Sequence, residues 1–421
     1  MLQMKKGLLL LMVVVLSVFG LSACGGGSSS GDKTEITYYQ FSAPADGKAL
    51  DEMVKEFEKQ NPDIKVNVQT IAFNDYFTKL QTQIAGGDAP DAFELNYETF
   101  MQYAEKGVLA DLTSYIEKDK DFDPSTLNKQ AYDAFKYDGK QYGMVESFSN
   151  VVTIYNKDLF DKAGVEYPTA DWTWKDEEAA AKKLTDAKNK VWGTSQPVTM
   201  NEFYKVAAQN GGSIFNEDLT KTTINSPENV AALTHLTNEV TDSKVAPSPA
   251  DLSGQLPEDL FMNGQIAMLH TGIWLFDMFQ DAPFKWDVQV EAGNTQKATH
   301  FFANGIGVSK DSDKKEAAFK FASFMSANEE AAKIRIDNNW ELPATENKEI
   351  LQPYLDATPP DNREAVFESL QYMVLPPVVK DWNKISDYTN SEFEKVLNGD
   401  STPEKALKNS EDNINKTMGF K

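Results

Sequence analysis

The first part of the chain alternates short apolar runs with segments whose apolar residues recur at helical spacing. Apolar residues that recur every three or four positions indicate one face of a helix, whereas short apolar runs and strict apolar–polar alternation indicate strands. This pattern predicts strands over residues 36–41, 64–68 and 92–95, and helices over residues 50–57 and 76–84.

This order of strands and helices predicts a parallel α/β sheet. Ligands of such sheets bind beyond the carboxyl ends of the strands. Two of these ends carry polar side chains, namely Gln40 and Ser42 after the first strand, and Asn96 and Tyr97 after the third. We therefore expect these four residues to face a ligand.

The N-terminus has the features of an export signal. Lys5 and Lys6 precede a nearly pure aliphatic run over residues 8–19, which is too short to span a bilayer but suits the apolar region of a signal peptide. The sequence Leu21-Ser22-Ala23-Cys24-Gly25 that follows resembles the bacterial lipobox. That resemblance implies cleavage before Cys24 and lipidation of its thiol.

The chain then divides into a signal peptide (residues 1–23) and a lipid-anchored, glycine- and serine-rich flexible tether (residues 24–33), followed by the globular body. We expect an extracytoplasmic protein that is anchored to the cell membrane through its lipid.

Composition and motifs argue against several classes of function. The formal net charge of −23 disfavours nucleic-acid binding, and a single cysteine excludes an intramolecular disulfide and cysteine-based metal sites. Asp119, Asp121 and Asp123 imitate half of a calcium-binding loop, but Pro124 and Gln130 occupy positions that require glycine and glutamate. The three histidines are isolated in sequence, and no catalytic motif is present. We expect no metal, no cofactor and no enzymatic activity.

A series of motifs resembles the extracellular solute-binding proteins of ABC importers, in the carbohydrate-binding group that includes maltose-binding protein. Two of the motifs are Tyr155-Asn156-Lys157-Asp158-Leu159-Phe160 and Gly272-Ile273-Trp274. The full series, in chain order, covers residues 36–41, 57–66, 80–91, 155–160, 163–164, 173–174, 263–268, 272–274, 305–308 and 342–344. Each motif is weak alone, but their order behind a lipobox is specific.

The resemblance implies a periplasmic-binding-protein-like α/β fold, in which a multi-crossing hinge joins two α/β lobes with a ligand cleft between them. We place the crossings near residues 146–150 and 301–304 and between Ile336 and Leu342. The first lobe then comprises residues 34–147 with 303–338, and the second comprises residues 148–302 with 339–421.

A sugar site needs flat aromatic rings for the C–H faces of the ligand and short polar groups for its hydroxyls. By resemblance Trp274 is the strongest candidate for stacking, Trp340 is a second, and the remaining tryptophans, Trp382 among them, are expected to be structural. The hydroxyl-binding candidates lie at strand ends or crossings, and they are Gln40, Ser42, Asn96, Tyr97, Glu146, Ser147 and Asn304.

These features predict a monomeric, lipid-anchored substrate-binding protein that captures a sugar, most simply an oligosaccharide, and delivers it to the permease subunits of an ABC importer. Two alternatives stay open. The same fold could bind a polyamine, a peptide or an iron complex, and a surface glycoside hydrolase would also use carboxylates and aromatic rings.

Overall fold

The computed structural model describes residues 33–42, 47–379 and 381–420, so the predicted signal peptide and Cys24 lie outside the described residues. The strands β1 to β13 of this part are Thr34–Gln40, Ile64–Thr70, Ala92–Asn96, Lys136–Tyr137, Lys140–Gln141, Gly143–Ser149, Val151–Asn156, Met268–Gly272, Trp286–Gln289, Thr299–His300, Phe302–Val308, Leu342–Pro343 and Met373–Val374.

Helices connect and cover these strands. In chain order α1 to α18 are Lys48–Gln60, Phe73–Gly86, Tyr97–Glu105, Thr113–Ile116, Lys129–Asp133, Lys157–Ala163, Trp174–Leu184, Met200–Gln209, Pro227–Thr241, Pro249–Leu252, Pro257–Met262, Phe276–Phe279, Lys315–Ala327, Glu329–Asp337, Lys348–Asp356, Glu364–Ser369, Trp382–Leu397 and Pro403–Met418. Short 3₁₀ turns occupy Pro124–Thr126, Ile273–Leu275 and Leu370–Tyr372. Within the described ranges, no helix has the length and apolar content that a membrane span requires.

The first lobe is built on a six-stranded sheet with the order β12-β6-β11-β3-β1-β2. Strand β1 pairs in parallel with both β2 and β3, which confirms the strand–helix order predicted from the sequence. Strand β11 enters between β3 and β6 and runs antiparallel to both. The sheet is therefore mixed, with β11 and β12 running opposite to the other four strands.

The second lobe contains a three-stranded antiparallel sheet with the order β8-β7-β9. Helices α8, α9, α17 and α18 pack on one another and bury a separate apolar core. Helix α7 begins with a cap, in which the Thr173 hydroxyl donates to Asp176 over 2.6 Å and the Thr173 N–H donates to the same oxygen over 3.0 Å.

Two crossings between the lobes are single residues between strands. Asn150 separates β6 from β7, and Phe301 separates β10 from β11. The third crossing differs from the one that we predict between Ile336 and Leu342. Strand β12 pairs with β6, and α15 packs against α14, so residues 339–356 lie with the first lobe. The chain reaches the second lobe over residues 359–362, where the Pro359 carbonyl accepts from Gln280 and the Asn362 N–H donates to Asp287, and α16 then packs on β7 and β9.

A buried network of charges ties the second lobe together. His270 on β8 lies between two carboxylates, with Nε2 at 2.6 Å from Glu177 of α7 and Nδ1 at 2.9 Å from Glu291. Lys205 of α8 pairs with the same Glu291 and, over 2.6 Å, with Glu202. Because both ring nitrogens of His270 face acceptors, the imidazole is a double donor and therefore protonated.

The pKa values follow from this arrangement. Burial alone would lower the pKa of His270, but Glu177 and Glu291 outweigh burial and raise the pKa to about 10. Burial would raise the pKa of Glu291, but Lys205 and His270 lower it to about 2. The imidazolium therefore stabilises the folded state fully below about pH 6.5, its ordinary pKa, and this contribution is lost as the pH rises through about 10.

We predict that the melting temperature falls between about pH 6.5 and about pH 10, and that His270→Gln makes this fall shallower. Thermal unfolding followed by circular dichroism across this range measures the effect. His235→Gln is the matched control, because burial lowers the pKa of His235 to about 4 and that ring stays neutral throughout. Equal pH slopes in wild type and His270→Gln would contradict the assignment.

Candidate functional site

A cavity of about 320 Å³ lies between the two lobes. Its first-lobe wall comes from α2, β3 and α3, and its second-lobe wall comes from α8, the residue before it, and α17. The lining residues are Phe73, Phe77, Gln81, Asn96, Glu98, Thr99, Gln102, Tyr103, Thr199, Asn201, Trp382, Asn383, Ser386, Asp387 and Asn390. Most are amides, hydroxyls and carboxylates, and a few are aromatic.

Helical spacing explains why these side chains share a wall. Phe73, Phe77 and Gln81 are four residues apart on α2, so they lie on one face of that helix. On α17 the lining positions fall within residues 382–390 at spacings of one, three and four, again one face. Asn390 fixes α17 to the start of α8, because its side-chain oxygen accepts the Met200 N–H over 2.6 Å.

Among the described residues that line the cavity, three have a buried side-chain oxygen without a hydrogen-bond partner. They are Glu98 (Oε2) and Tyr103 (Oη) on the first lobe and Ser386 (Oγ) on the second. Burial raises the pKa of Glu98 to about 7. A buried polar atom without a hydrogen bond costs about 1–3 kcal/mol, so a hydroxyl-bearing ligand that bonded to Glu98 and Ser386 would recover this free energy at both walls.

Trp274 lies outside the wall of this cavity, at the crossings. Its side chain is 37% exposed, and the edge of its ring system meets Phe302 of β11 at 5.5 Å between centroids. The N–H of the preceding Ile273 donates to the carbonyl of Asn150, the first crossing residue, over 3.2 Å. The structure thus presents the partly exposed indole beside both crossing strands.

Gly272 provides the space for this indole. A Cβ atom at Gly272 would overlap the six-membered ring of Trp274. The backbone there has φ −84° and ψ 160°, which any residue can adopt, so the need for glycine is steric rather than conformational.

Three of the predicted ligand contacts lie in the buried part of the first-lobe sheet. Ser147 and Asn304 face each other on β6 and β11, and both donate to the carboxylate of Glu341, Asn304 over 3.2 Å. Glu146 accepts the Tyr38 hydroxyl over 3.2 Å and lies 3.8 Å from Arg335. These polar groups have protein partners on the first lobe.

Three other predicted residues, Gln40, Ser42 and Trp340, lie at the end of β1 or pack against it. Gln40 is buried and donates to Thr70, and the Ser42 N–H donates to Glu94 over 3.1 Å. Trp340 is only 3% exposed and donates its indole N–H to the Ser42 carbonyl over 2.9 Å. The Arg335 guanidinium lies 3.9 Å from the centre of the Trp340 ring.

The remaining two predicted residues lie near the cavity. Asn96 lines it, whereas the Tyr97 ring packs 6.0 Å from that of Phe301 at the second crossing. Most of the wall was missed by the sequence reasoning, including Glu98 and the face of α17. Trp382, expected to be structural, is 3% exposed and packs in the second-lobe core, yet it also lines the cavity.

Two α/β lobes, strand crossings between them and a polar cavity at their junction define a binding protein that encloses a solute. The chain belongs to the family of bacterial extracellular solute-binding proteins, whose sequence profile matches residues 42–332.

Individual relatives support this family assignment. An ABC substrate-binding protein from Listeria monocytogenes, solved in complex with cycloalternan, is 99% identical to this chain, covers 93% of it and 100% of its own length, and has a TM-score of 0.91. The arabinooligosaccharide-binding protein of Bacillus subtilis is 28% identical, over 95% of this chain and 96% of its own. A solute-binding protein from Thermotoga lettingae, bound with α-D-tagatose, is 22% identical over 91% of this chain and 99% of its own, and it shares the fold with a TM-score of 0.82.

We predict that Gly272→Ala displaces the indole of Trp274, because the new methyl group occupies the position of its ring. The displaced indole becomes more accessible to acrylamide, and overpacking lowers the stability by about 1–3 kcal/mol. Fluorescence quenching measures the accessibility. The same glycine change in a Trp274→Phe background is the control and leaves quenching unaltered, whereas Gly86→Ala, where a Cβ meets no atom within 4 Å, controls for the substitution itself.

Proposed function

We propose that this protein is the sugar-binding subunit of an ABC importer and that it captures an oligosaccharide, with cycloalternan as the leading candidate, in the cleft between its lobes. The observation that carries the proposal is the pair of unpartnered buried oxygens, Glu98 Oε2 and Ser386 Oγ, on the two walls of the interlobe cavity. The 99%-identical protein solved with cycloalternan supports the choice of ligand.

The chemistry of the walls suits a sugar. A sugar hydroxyl both donates and accepts, so it can bond to the carboxylate of Glu98, the hydroxyl of Ser386 and amides such as Asn96 or Asn383. The cavity volume of about 320 Å³ is at the lower end of small-molecule sites. We therefore propose that part of the oligosaccharide fills this cavity while the rest extends along the cleft, where Trp274 stacks against a ring.

Binding and closure are then one event. A ligand that bonds to both walls favours the arrangement in which the walls are close, and the population shifts toward that closed state. The monomeric protein presents the closed form to the permease and returns the sugar intact, because its role is transfer and not hydrolysis.

We predict that Glu98→Gln weakens the binding of cycloalternan about tenfold at about pH 8, since hydrogen bonds to a charged acceptor are worth about 1.5–3 kcal/mol. Glu98 is ionised above its pKa of about 7, so the wild-type affinity should rise between about pH 6 and about pH 8. The variant should lose this dependence. Isothermal titration calorimetry at the two pH values measures both effects.

Glu316→Gln is the control for this experiment, because Glu316 is 80% exposed and lies outside the interlobe cavity. It should bind like wild type at both pH values. The same rise of affinity between about pH 6 and about pH 8 in wild type and in Glu98→Gln would remove Glu98 from the site. A wild type that bound no sugar in a broad panel would refute the proposed function.

We further propose that the protein is anchored to the outside of the cell membrane by lipid on Cys24. The lipobox Leu21-Ser22-Ala23-Cys24 and the glycine- and serine-rich segment after it support this proposal. A lipid anchor raises the local concentration of the binding protein near its permease. More than one acyl chain is needed, because a single chain gives only reversible membrane binding.

We expect Cys24→Ala to release the protein into the medium without changing its affinity for the sugar. Cell fractionation with immunoblotting measures the release, and calorimetry on the secreted protein measures the affinity. Cys24→Ala protein that stayed with the membrane would show that another part of the chain holds it there.

A further inference from the structure

Phe73, the first residue of α2, has a more exposed side chain than its aromatic type usually allows. Among the described residues, the large apolar side chains that are exposed include two aromatic ones, Phe73 at 53% and Trp274 at 37%. The proposed function gives Trp274 a stacking role, whereas Phe73 enters it only as part of the cavity wall. It is the exposed aromatic ring of the first lobe.

The ring of Phe73 is held in place by neighbouring rings. It meets Phe41 at 5.3 Å and Phe77 at 5.7 Å between centroids, both edge to face. Phe41 packs in turn at 4.9 Å on Tyr76, whose hydroxyl donates to the Glu94 carbonyl over 2.7 Å. The ring is therefore attached to the end of the sheet and does not need to be ordered by a ligand, which lowers the entropic cost of binding.

The surroundings of Phe73 are those of a sugar platform. The residue lines the interlobe cavity together with Asn96 and Glu98 of the first lobe and with Asn383 and Asp387 of the second. An apolar ring surrounded by acceptors and donors matches the C–H face and the hydroxyls of a pyranose. A surface for docking another protein would not need these polar groups inside a cavity.

We propose that Phe73 is an aromatic subsite of the first lobe that stacks against one sugar ring of the bound oligosaccharide. The inference rests on the proposed function and deepens it. Because Trp274 lies outside the cavity that Phe73 lines, the two rings are separate platforms. A ligand that uses both must contain more than one sugar, so Phe73 helps the cleft to discriminate oligosaccharides from monosaccharides.

The test compares the binding of cycloalternan and of glucose by calorimetry to wild type, Phe73→Leu and Phe73→Trp. Leucine keeps the apolar packing on Phe41 and Phe77 but removes the flat face, so cycloalternan should bind about five- to tenfold more weakly. Tryptophan restores a flat face and should stay within about twofold of wild type. The melting temperature of each ligand-free variant should match that of wild type, which separates stacking from folding.

Leu256→Ala is the matched control, because Leu256 is 57% exposed on the second lobe and outside the cavity. It should leave the affinity unchanged. If wild type binds cycloalternan and Phe73→Leu binds it equally well, the subsite is refuted while the proposed function stands, and reduced sugar uptake by cells with unchanged affinity would assign Phe73 to a protein partner instead. If wild type binds no sugar, both proposals fail.

Discussion

The carboxylate of Glu341 is the contact on which the geometry of the cleft depends. A buried carboxylate is costly unless hydrogen bonds satisfy it. Ser147 of β6 and Asn304 of β11 both donate to it, and these two strands lead directly to the crossings at Asn150 and Phe301. One buried side chain therefore links the two strands that lead into the second lobe, and it helps to hold the segment around β12 on the first lobe.

The two lobes solve the problem of buried charge in different ways. In the first lobe burial raises the pKa of Glu341, and burial together with the neighbouring Glu146 raises that of Glu94, while Arg335 is the cation among them. In the second lobe His270 lies between Glu177 and Glu291, and Lys205 pairs with Glu291, so these cations lower the pKa of both carboxyl groups.

Local patterns in the sequence were sufficient to predict the first strands and helices, because each of these elements depends on the periodicity of its own residues. They do not encode the protein contacts of Trp340, whose contact with a ligand stays a prediction. Its indole N–H bonds to Ser42, far away in the chain, and Arg335 covers its ring. The third crossing was misplaced for the same reason, since the contacts of Glu341 that retain this segment are formed with distant residues and leave no local signal.

One wall of the cleft has a local signal in the sequence, and the other has none. Asn96 and Tyr97 were predicted because they end a strand, but α3 begins at Tyr97, and its face continues through Glu98 and Gln102 into the cavity. The helix that directly follows the end of β3 is therefore a local signal for this wall. The opposite wall on α17 has no such signal, because α17 is far from β3 along the chain and comes close to it only in the folded protein. The walls belong to different lobes, so the ligand that we propose contacts both lobes at once. Under the proposed function, this division of polar groups between the lobes couples recognition to closure.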